Sequence, residues 1–244
     1  MASKDIILIT GANTGIGFEA VKAIFRSELA YHVLMGSRTP AKADAAIAQL
    51  KKETPETKST IEALQVDITD DQSIEKAVEV VQSKFGKLDV LVNNAGASFD
   101  ALFDKDLADA RNLFNKTYDV NVSGTQVMTA AFVPLLLKST SPRLVFLTSG
   151  LSTLEGSSAT LVPKLVTSIE PGWPKTGILA HVAYRSSKLA LNMVMVAWHS
   201  LLKVDGAGAG DPSLGGDLIK RVIEGERDAD VGKVVTQNGE VQPW

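Results

Sequence analysis

Short apolar runs alternate with helix-length amphipathic segments along much of this 244-residue chain, and this alternation limits its fold more than any other feature. The apolar runs lie at residues 6–9, 33–35, 63–66, 90–92 and 144–147. Their near-continuous apolarity is typical of strands buried on both faces of a parallel sheet. Between them, apolar residues recur at helical spacing, as in Phe18, Val21 and Phe25. We therefore expect an α/β fold, a Rossmann-like doubly wound parallel sheet with helices on both faces, formed by residues 1–244 as a single domain.

Composition excludes several other classes of protein. Hydrophobic residues make up 45% of the chain and its net charge is only −3, which argues against intrinsic disorder and against nucleic-acid binding. No apolar run approaches the ~18 residues that span a bilayer, and no leader segment is visible. The lack of cysteine and the wide spacing of the three histidines argue against a metal site. We expect a cytoplasmic protein without metal, membrane or nucleic-acid partners.

The first apolar run leads into the glycine-rich segment TGANTGIG at residues 10–17, and a helical pattern follows at once. Glycines here permit a tight turn and let the backbone approach a pyrophosphate at the helix N-terminus, where unpaired N–H groups favour anions. An ordinary glycine turn is the alternative. The place after the first strand favours a dinucleotide site, whose residues would be Gly11, Asn13, Thr14, Gly15, Ile16 and Gly17.

The spacing Gly-x3-Gly-x-Gly in this segment resembles that of the short-chain dehydrogenase/reductase family, not the commoner Gly-x-Gly-x2-Gly fingerprint. Further motifs of that family follow in the same order. They are Asp67 after the third strand, NNAG at residues 93–96, Asn121, Ser149 and the pair Tyr184-x3-Lys188. The resemblance covers residues 5 to about 200 and is strongest to the carbonyl-reductase-like branch, which includes fungal ketoreductases.

The end of the second strand distinguishes between the two nicotinamide cofactors. NAD-binding domains place an acidic residue there for the adenosine ribose, whereas NADP-binding domains place an arginine for the 2′-phosphate. Here the strand ends at Ser37 and Arg38, with no acidic residue before Asp44. A guanidinium binds phosphate through paired, charge-assisted hydrogen bonds. The alternative for Arg38 is an ordinary surface arginine; at this position we predict a phosphate contact, with NADPH/NADP+ as the cofactor.

The resemblance implies further contacts to the cofactor. Asp67 and Ile68 would lie against the adenine, although an acid at this place also suits the start of the following helix. The turn of Asn94, Ala95 and Gly96 would lie beside the cofactor, with Asn94 contacting its ribose. A strand-ending turn without a ligand contact is the alternative.

Tyr184 and Lys188 lie four residues apart in an amphipathic helical pattern and therefore share one face of a helix. An ammonium near a phenol favours the phenolate, and an oxidised nicotinamide would add positive charge, which predicts a Tyr184 pKa below its usual value of ~10. The resemblance makes Tyr184 the general acid in reduction and the base in oxidation. It makes Lys188 the residue that lowers this pKa and holds the nicotinamide ribose. The alternative is a tyrosine packed beside a lysine stem.

The same resemblance implies two more catalytic residues. Ser149 would donate a hydrogen bond to the carbonyl oxygen of the substrate, and Thr148 is the alternative donor. Asn121 would order its helix and a water beside Lys188, or else serve as a buried structural amide.

These assignments predict an NADPH-dependent reductase that transfers hydride to a ketone or aldehyde of a small molecule. A non-redox isomerase or cyclase on the same scaffold is one alternative, and a catalytically impaired nucleotide-binding protein is another. We expect the substrate pocket to involve an insertion at residues 150–183 and the loop at 97–107. A long insertion at this place covers a helix face that relatives use for dimerisation, which favours a monomer over a homo-oligomer.

The chain departs from the family pattern after the helix of Tyr184. A sixth strand and a Pro-Gly-x3-Thr element belong there, but the chain enters a glycine-rich stretch at 204–216, which we predict to be a loop. A short helical pattern follows, and then a single strand-like run at 231–235. We predict a shortened sheet that encloses the nicotinamide half of the cofactor poorly, with reduced or no activity. The alternative is that a loop or the terminal strand fills the gap without consequence.

Overall fold

A computed structural model describes residues 4–100, 107–154, 181–202, 212–236 and 239–242. Within these ranges, five parallel strands form the central sheet in the order β3-β2-β1-β4-β5. The strands are β1 (Asp5–Ile9), β2 (Tyr31–Ser37), β3 (Thr60–Gln65), β4 (Val90–Asn93) and β5 (Arg143–Phe146). Each contains or overlaps one of the predicted apolar runs, because a strand buried on both faces is apolar along nearly its whole length.

Helices cover both faces of this sheet, which confirms the predicted doubly wound fold. They are α1 (Gly15–Phe25), α2 (Pro40–Glu53), α3 (Asp71–Phe85), α4 (Leu107–Tyr118), α5 (Thr125–Leu136), α6 (Val182–Leu202) and α7 (Pro212–Ile223). One hydrophobic cluster joins α1, α2 and α7 to the sheet, and a second joins α3, α5 and α6 to its other face. No helix in the described part of the chain is long and apolar enough to cross a membrane.

A wide turn interrupts the helical segment between β4 and β5. A π-helix at Asp119–Gly124 separates α4 from α5, and Asn121 lies within it and is fully buried. Such turns are rare and occur frequently at functional sites. The hydrophobic period alone does not reveal this turn, because a single wide turn hardly shifts the apolar positions around it.

The predicted loop at 204–216 is wrong at its C-terminal end. The helix α7 begins at Pro212, a residue that suits a first helical turn because it has no N–H to leave unpaired. Gly216 is buried where α7 crosses α1, and a Cβ there would lie only 2.6 Å from the backbone carbonyl carbon of Glu19. Glycine at this position therefore permits close helix packing. Residues 203–211 lie outside the described residues.

The predicted strand at 231–235 is shorter than expected and does not join the central sheet. Val234–Val235 forms β6, which pairs antiparallel with β7 at Val241–Gln242 in a separate ribbon. Within the described ranges, β5 is therefore one of the two edge strands of the sheet, and β3 is the other. The C-terminal segment packs beside this strand without extending it. Arg143 at its start forms an ion pair with Asp228 at 2.6 Å, and buried Val234 lies in the same cluster as Phe146 at its end.

Candidate active site

The predicted site residues gather at the carboxyl edge of the sheet, where all five strands end because the sheet is parallel. The glycine-rich segment leaves β1 there, the NNAG turn leaves β4, and Thr148 and Ser149 follow β5. The first turns of α6 reach the same edge, since Lys188 Nζ donates to the carbonyl oxygen of Leu147.

The glycine-rich segment has a backbone suited to an anion. Gly11 and Gly15 both have positive φ values, 63° and 59°, a conformation that favours glycine. Thr14 precedes α1, its side chain makes no capping hydrogen bond, and the first turn of the helix contains no acidic residue. A Cβ at Gly17 would lie 2.5 Å from Asn94 Nδ2, so no side chain fits at this position. The first-turn N–H groups and the helix dipole therefore suit a phosphate group.

Thr10 joins the glycine-rich segment to the NNAG turn, a role the sequence interpretation missed. Its hydroxyl accepts hydrogen bonds from the backbone N–H groups of Asn94 and Ala95, at 3.1 and 3.0 Å. In return, Asn94 Nδ2 donates to the carbonyl oxygens of Thr10 and Gly11, at 2.7 and 3.2 Å. The side-chain nitrogen of Asn94 thus holds the glycine-rich segment, and the predicted ribose contact would fall to its side-chain oxygen.

Arg38 is exposed and follows directly on the last residue of β2. The end of this strand is bound to the glycine-rich segment, because Ala12 N–H donates to the carbonyl oxygen of Gly36 at 3.0 Å. Ser37 turns the chain back by bonding to the backbone of Thr39. Arg38 therefore follows a strand end that is bonded to the glycine-rich segment, and its contact with a 2′-phosphate stays a prediction.

The helix that follows Asp67 is capped by a different residue. Asp70 precedes α3 and accepts hydrogen bonds from the N–H groups of Gln72 and Ser73. Asp67 instead binds the N–H and hydroxyl of Thr69, at 3.0 and 2.8 Å. Ile68 is buried. The capping alternative for Asp67 is therefore wrong, and the adenine contact remains a prediction.

Asn121 uses both ends of its side-chain amide. Its Oδ1 accepts from the N–H of Ala97 and its Nδ2 donates to the carbonyl oxygen of the same residue, each at 2.8 Å. Nδ2 also donates to Ser187 Oγ at 2.9 Å. A Cβ at Gly96 would lie 3.2 Å from both Asn121 Oδ1 and Lys188 Nζ, so these two side chains converge on the NNAG turn.

Lys188 is only 3% exposed, and burial lowers the pKa of its ammonium to about 8. Its Nζ donates to the carbonyl oxygen of Leu147 at 2.7 Å and lies 5.9 Å from the ring centroid of Tyr184. Tyr184 and Lys188 therefore lie close together, as predicted. The pKa of Tyr184 shifts in the direction opposite to the prediction, because burial raises it and outweighs the lowering effect of Ser149.

Ser149 and Thr148 have different partners. The side chain of Ser149 accepts from the N–H of Leu151 at 3.2 Å and lies close enough to the phenol of Tyr184 to lower its pKa. The hydroxyl of Thr148 is buried and donates to Asn192 Oδ1 at 2.5 Å, and Asn192 Nδ2 donates to Ser152 Oγ at 3.0 Å. The contact of Ser149 with a substrate remains a prediction.

Sequence reasoning missed a group of supporting residues around these side chains: Thr10, Asp100, Ser152, Ser187 and Asn192. Asn192 continues the four-residue spacing of Tyr184 and Lys188 on α6, and that spacing was a usable signal. Thr10 opens the TGANTGIG segment, although its role was not predicted, and the other three carry no comparable pattern. Residues 155–180 and 101–106, which include most of the predicted substrate segments, lie outside the described residues.

Comparison with known proteins supports this interpretation. The model of a family described as short chain dehydrogenase matches residues 5–161. The short-chain dehydrogenase/reductase tropE of Talaromyces stipitatus is 44% identical over 269 aligned positions, which cover 100% of this chain and 99% of the relative. The alignment is 25 positions longer than this chain of 244 residues, so tropE contains about 25 residues with no counterpart here.

Solved structures share the fold at low sequence identity. Menthone neomenthol reductase from Mentha piperita superposes with a TM-score of 0.74 at 21% identity, over 97% of this chain and 99% of that one. An NADPH-bound carbonyl reductase from chicken fatty liver superposes with a TM-score of 0.73 at 19% identity, over 100% of both chains. Together with the family match and the 44% identity to tropE, these similarities show that the chain belongs to the short-chain dehydrogenase/reductase family of nicotinamide-dependent oxidoreductases.

Proposed function

We propose that this chain is an NADPH-dependent reductase that acts on a ketone or aldehyde of a small molecule, with Tyr184 as the general acid. The observation that carries the proposal is the buried ammonium of Lys188, which lies 5.9 Å from the ring centroid of Tyr184. Ser149 is close enough to the same phenol to lower its pKa. Two hydroxyl groups beside a buried cation form a site where negative charge on an oxygen atom is stabilised.

The residues of the glycine-rich segment, Arg38 and the NNAG turn would hold the cofactor. The bare backbone at the start of α1 suits its pyrophosphate, and the exposed guanidinium of Arg38 suits a 2′-phosphate. Asp67 and Ile68 would contact the adenine and Asn94 a ribose. Bound in this way, the cofactor supplies the hydride, and the protein positions and polarises the carbonyl. The NADPH bound to the chicken reductase supports the choice of cofactor by analogy of fold alone.

The proton for the carbonyl oxygen comes from Tyr184 Oη. A phenol is protonated at neutral pH, as a general acid must be, and burial, which raises the pKa of Tyr184, makes it a weaker proton donor. Ser149 Oγ binds the same carbonyl oxygen, and the ammonium of Lys188 stabilises the phenolate that remains. Asn121 orders the turn in front of Lys188 through its two hydrogen bonds to Ala97.

The test is to mix the purified protein with NADPH and a panel of ketones and aldehydes and to follow the absorbance of the reduced cofactor. Tyr184→Phe should lower turnover by about 10²–10⁴ and leave the Kd for NADPH nearly unchanged. Tyr118→Phe, on the partly exposed end of α4, is the matched control and should behave as the wild type. Retained turnover in Tyr184→Phe would remove this tyrosine from the mechanism. Product formed without NADPH consumption would favour the isomerase or cyclase alternative.

A second candidate function is a nucleotide-binding protein with reduced activity. The observation in its favour is the edge position of β5 within the described ranges, together with the roughly 25 residues that tropE has in addition. NADPH binding without reduction of any carbonyl in the panel would select this candidate.

Two further expectations belong to the same proposal. A monomer is predicted from the 34 residues between Ser149 and Tyr184, and light scattering at a dimer or tetramer mass would contradict it. A cytoplasmic location also remains a prediction.

A further inference from the structure

Asp100 is a buried carboxylate whose partners lie on the helix of Tyr184. It is 7% exposed and belongs to the loop that follows the NNAG turn. Its Oδ1 accepts from the N–H of Ala183 and its Oδ2 from the N–H of Tyr184, each at 3.0 Å. The hydroxyl of Ser98 donates to Oδ2 at 3.1 Å. A carboxylate is buried only at considerable cost unless its oxygens are hydrogen-bonded, and here both are.

These contacts supply a helix cap that the local sequence does not make. His181 immediately precedes α6, and its carbonyl oxygen accepts from the N–H of Arg185 at 2.8 Å, as an N-cap residue does. Its φ of 47° is left-handed, whereas a capping residue usually has extended backbone and bonds the first turn with its own side chain. Asp100 performs this task from 83 residues away along the chain.

The backbone of Tyr184 is held on both sides as a result. Its N–H donates to Asp100, and its carbonyl oxygen accepts from Ser187 Oγ at 2.7 Å. Ser187 in turn accepts from Asn121, which also holds Ala97 at the other end of the loop. The loop 97–100 therefore connects the π-helix to the first turn of α6 through hydrogen bonds at each end.

We infer that Asp100 is a positioning residue for Tyr184, because its carboxylate fixes the first turn of α6 and so keeps the phenol beside Ser149. The inference rests on the proposed function of Tyr184. Displacement of a reacting group by about 1 Å can cost on the order of 10²-fold in rate. Loss of this cap should therefore affect turnover more than cofactor binding, since Asp100 contacts neither the glycine-rich segment nor Arg38 in the described part of the chain.

The experiment compares Asp100→Ala with Asp70→Ala. Asp70 caps α3 with the same pattern of two backbone N–H groups, so its loss removes a helix cap away from Tyr184. Both variants should unfold a few degrees below the wild type, at ~2–4 °C for each kcal/mol of a lost cap. We expect Asp100→Ala to lower kcat by about 10- to 100-fold with the Kd for NADPH within about twofold, and Asp70→Ala to keep the wild-type kcat.

Asp100→Asn keeps one acceptor oxygen and replaces the other by an amide group that can only donate, so it can accept from one of the two backbone N–H groups and not from both. We expect its kcat to lie between those of the wild type and Asp100→Ala, and it carries the comparison with Asp70→Ala if the alanine variant does not fold. Equal kcat values for Asp100→Ala and Asp70→Ala would overturn the inference.

Hydrogen exchange separates this inference from the proposed function. The amides of Ala183 and Tyr184 should exchange faster in Asp100→Ala than in the wild type, whether or not a substrate is known. Unchanged exchange would overturn the positioning role. A wild-type protein that reduces no carbonyl would overturn the proposed function alone, and the exchange result would still decide whether Asp100 holds the first turn.

Discussion

Lys188 directs its ammonium at the carbonyl oxygen of Leu147, 2.7 Å away, from a position that is almost completely buried. Leu147 directly follows β5, so this bond ties the helix of Tyr184 to the end of the edge strand. One neutral acceptor does not replace the water that a buried cation loses, and for this reason burial lowers the Lys188 pKa to about 8.

The stability of the protein should consequently rise with pH in a defined range. Unfolded lysine titrates near 10.5 and Lys188 near 8, so between these values the unfolded chain binds more protons than the folded one. We expect the free energy of unfolding to increase by ~2 kcal/mol from pH 7 to pH 9.5, relative to a variant without this ammonium. Lys188→Met is that variant, because its unbranched side chain fills a similar space. Parallel pH profiles of the two proteins would contradict the assigned pKa.

Removal of the Ser149 hydroxyl should affect catalysis more than stability. Ser149→Ala takes away the partner of the Tyr184 phenol and should lower kcat by about 10²–10³. Thr148→Val is the comparison, because it breaks the buried bond to Asn192 and should cost ~1–3 kcal/mol of unfolding free energy. Steady-state kinetics and denaturant titration of both variants check this division. A larger loss of kcat in Thr148→Val than in Ser149→Ala would show that Thr148, and not Ser149, is the catalytic hydroxyl.

Arg38 should determine the preference between the two nicotinamide cofactors. Arg38→Ala removes a charge-assisted contact to the 2′-phosphate and should weaken NADPH binding more than NADH binding, by ~1–3 kcal/mol. Fluorescence titration with each cofactor measures the difference. Arg26→Ala, an exposed arginine beyond the other end of α1, is the control and should leave both affinities unchanged. Equal losses of affinity for NADPH and NADH would show that Arg38 does not contact the 2′-phosphate.

The affinity for NADPH also tests the prediction that a shortened sheet encloses the nicotinamide half of the cofactor poorly. If β5 has no neighbour to cover the nicotinamide half of the cofactor, two or three hydrogen bonds of ~1 kcal/mol each are missing. We then expect binding weaker by roughly ten- to a hundredfold than in a complete site. A Kd at or below about 1 μM, together with rapid ketone reduction, would show that the shorter chain closes its site by other means.

Much of the fold could be predicted because buried parallel strands and amphipathic helices leave direct traces in the order of apolar residues. Contacts between distant segments leave no such trace. Gly216 illustrates this, because a glycine in the sequence usually indicates a loop. Here Gly216 lies in a helix, and glycine is required because the backbone of Glu19 approaches closely. The packing of α7 on α1 therefore could not be predicted from the sequence.

The site shows the same division. The motifs that include Gly11, Asn121 and Tyr184 could be recognised because each has a fixed spacing or a fixed place after a strand. Asp100 could not, since it reaches Tyr184 from 84 residues away and belongs to no motif itself, although it follows the NNAG turn. The direction of the Tyr184 pKa was predicted wrongly, because proximity to Lys188 is visible in the sequence and the degree of burial is not.

The packing of α7 across α1 bears on how the protein is synthesised. The two helices share one hydrophobic cluster although residues 26–211 separate them along the chain. Until residues beyond Pro212 have been made, α1 lacks this cover, and its apolar surface is available to chaperones or to other unfinished chains. The helix that would receive the cofactor phosphates therefore leaves the ribosome well before the helix that covers it.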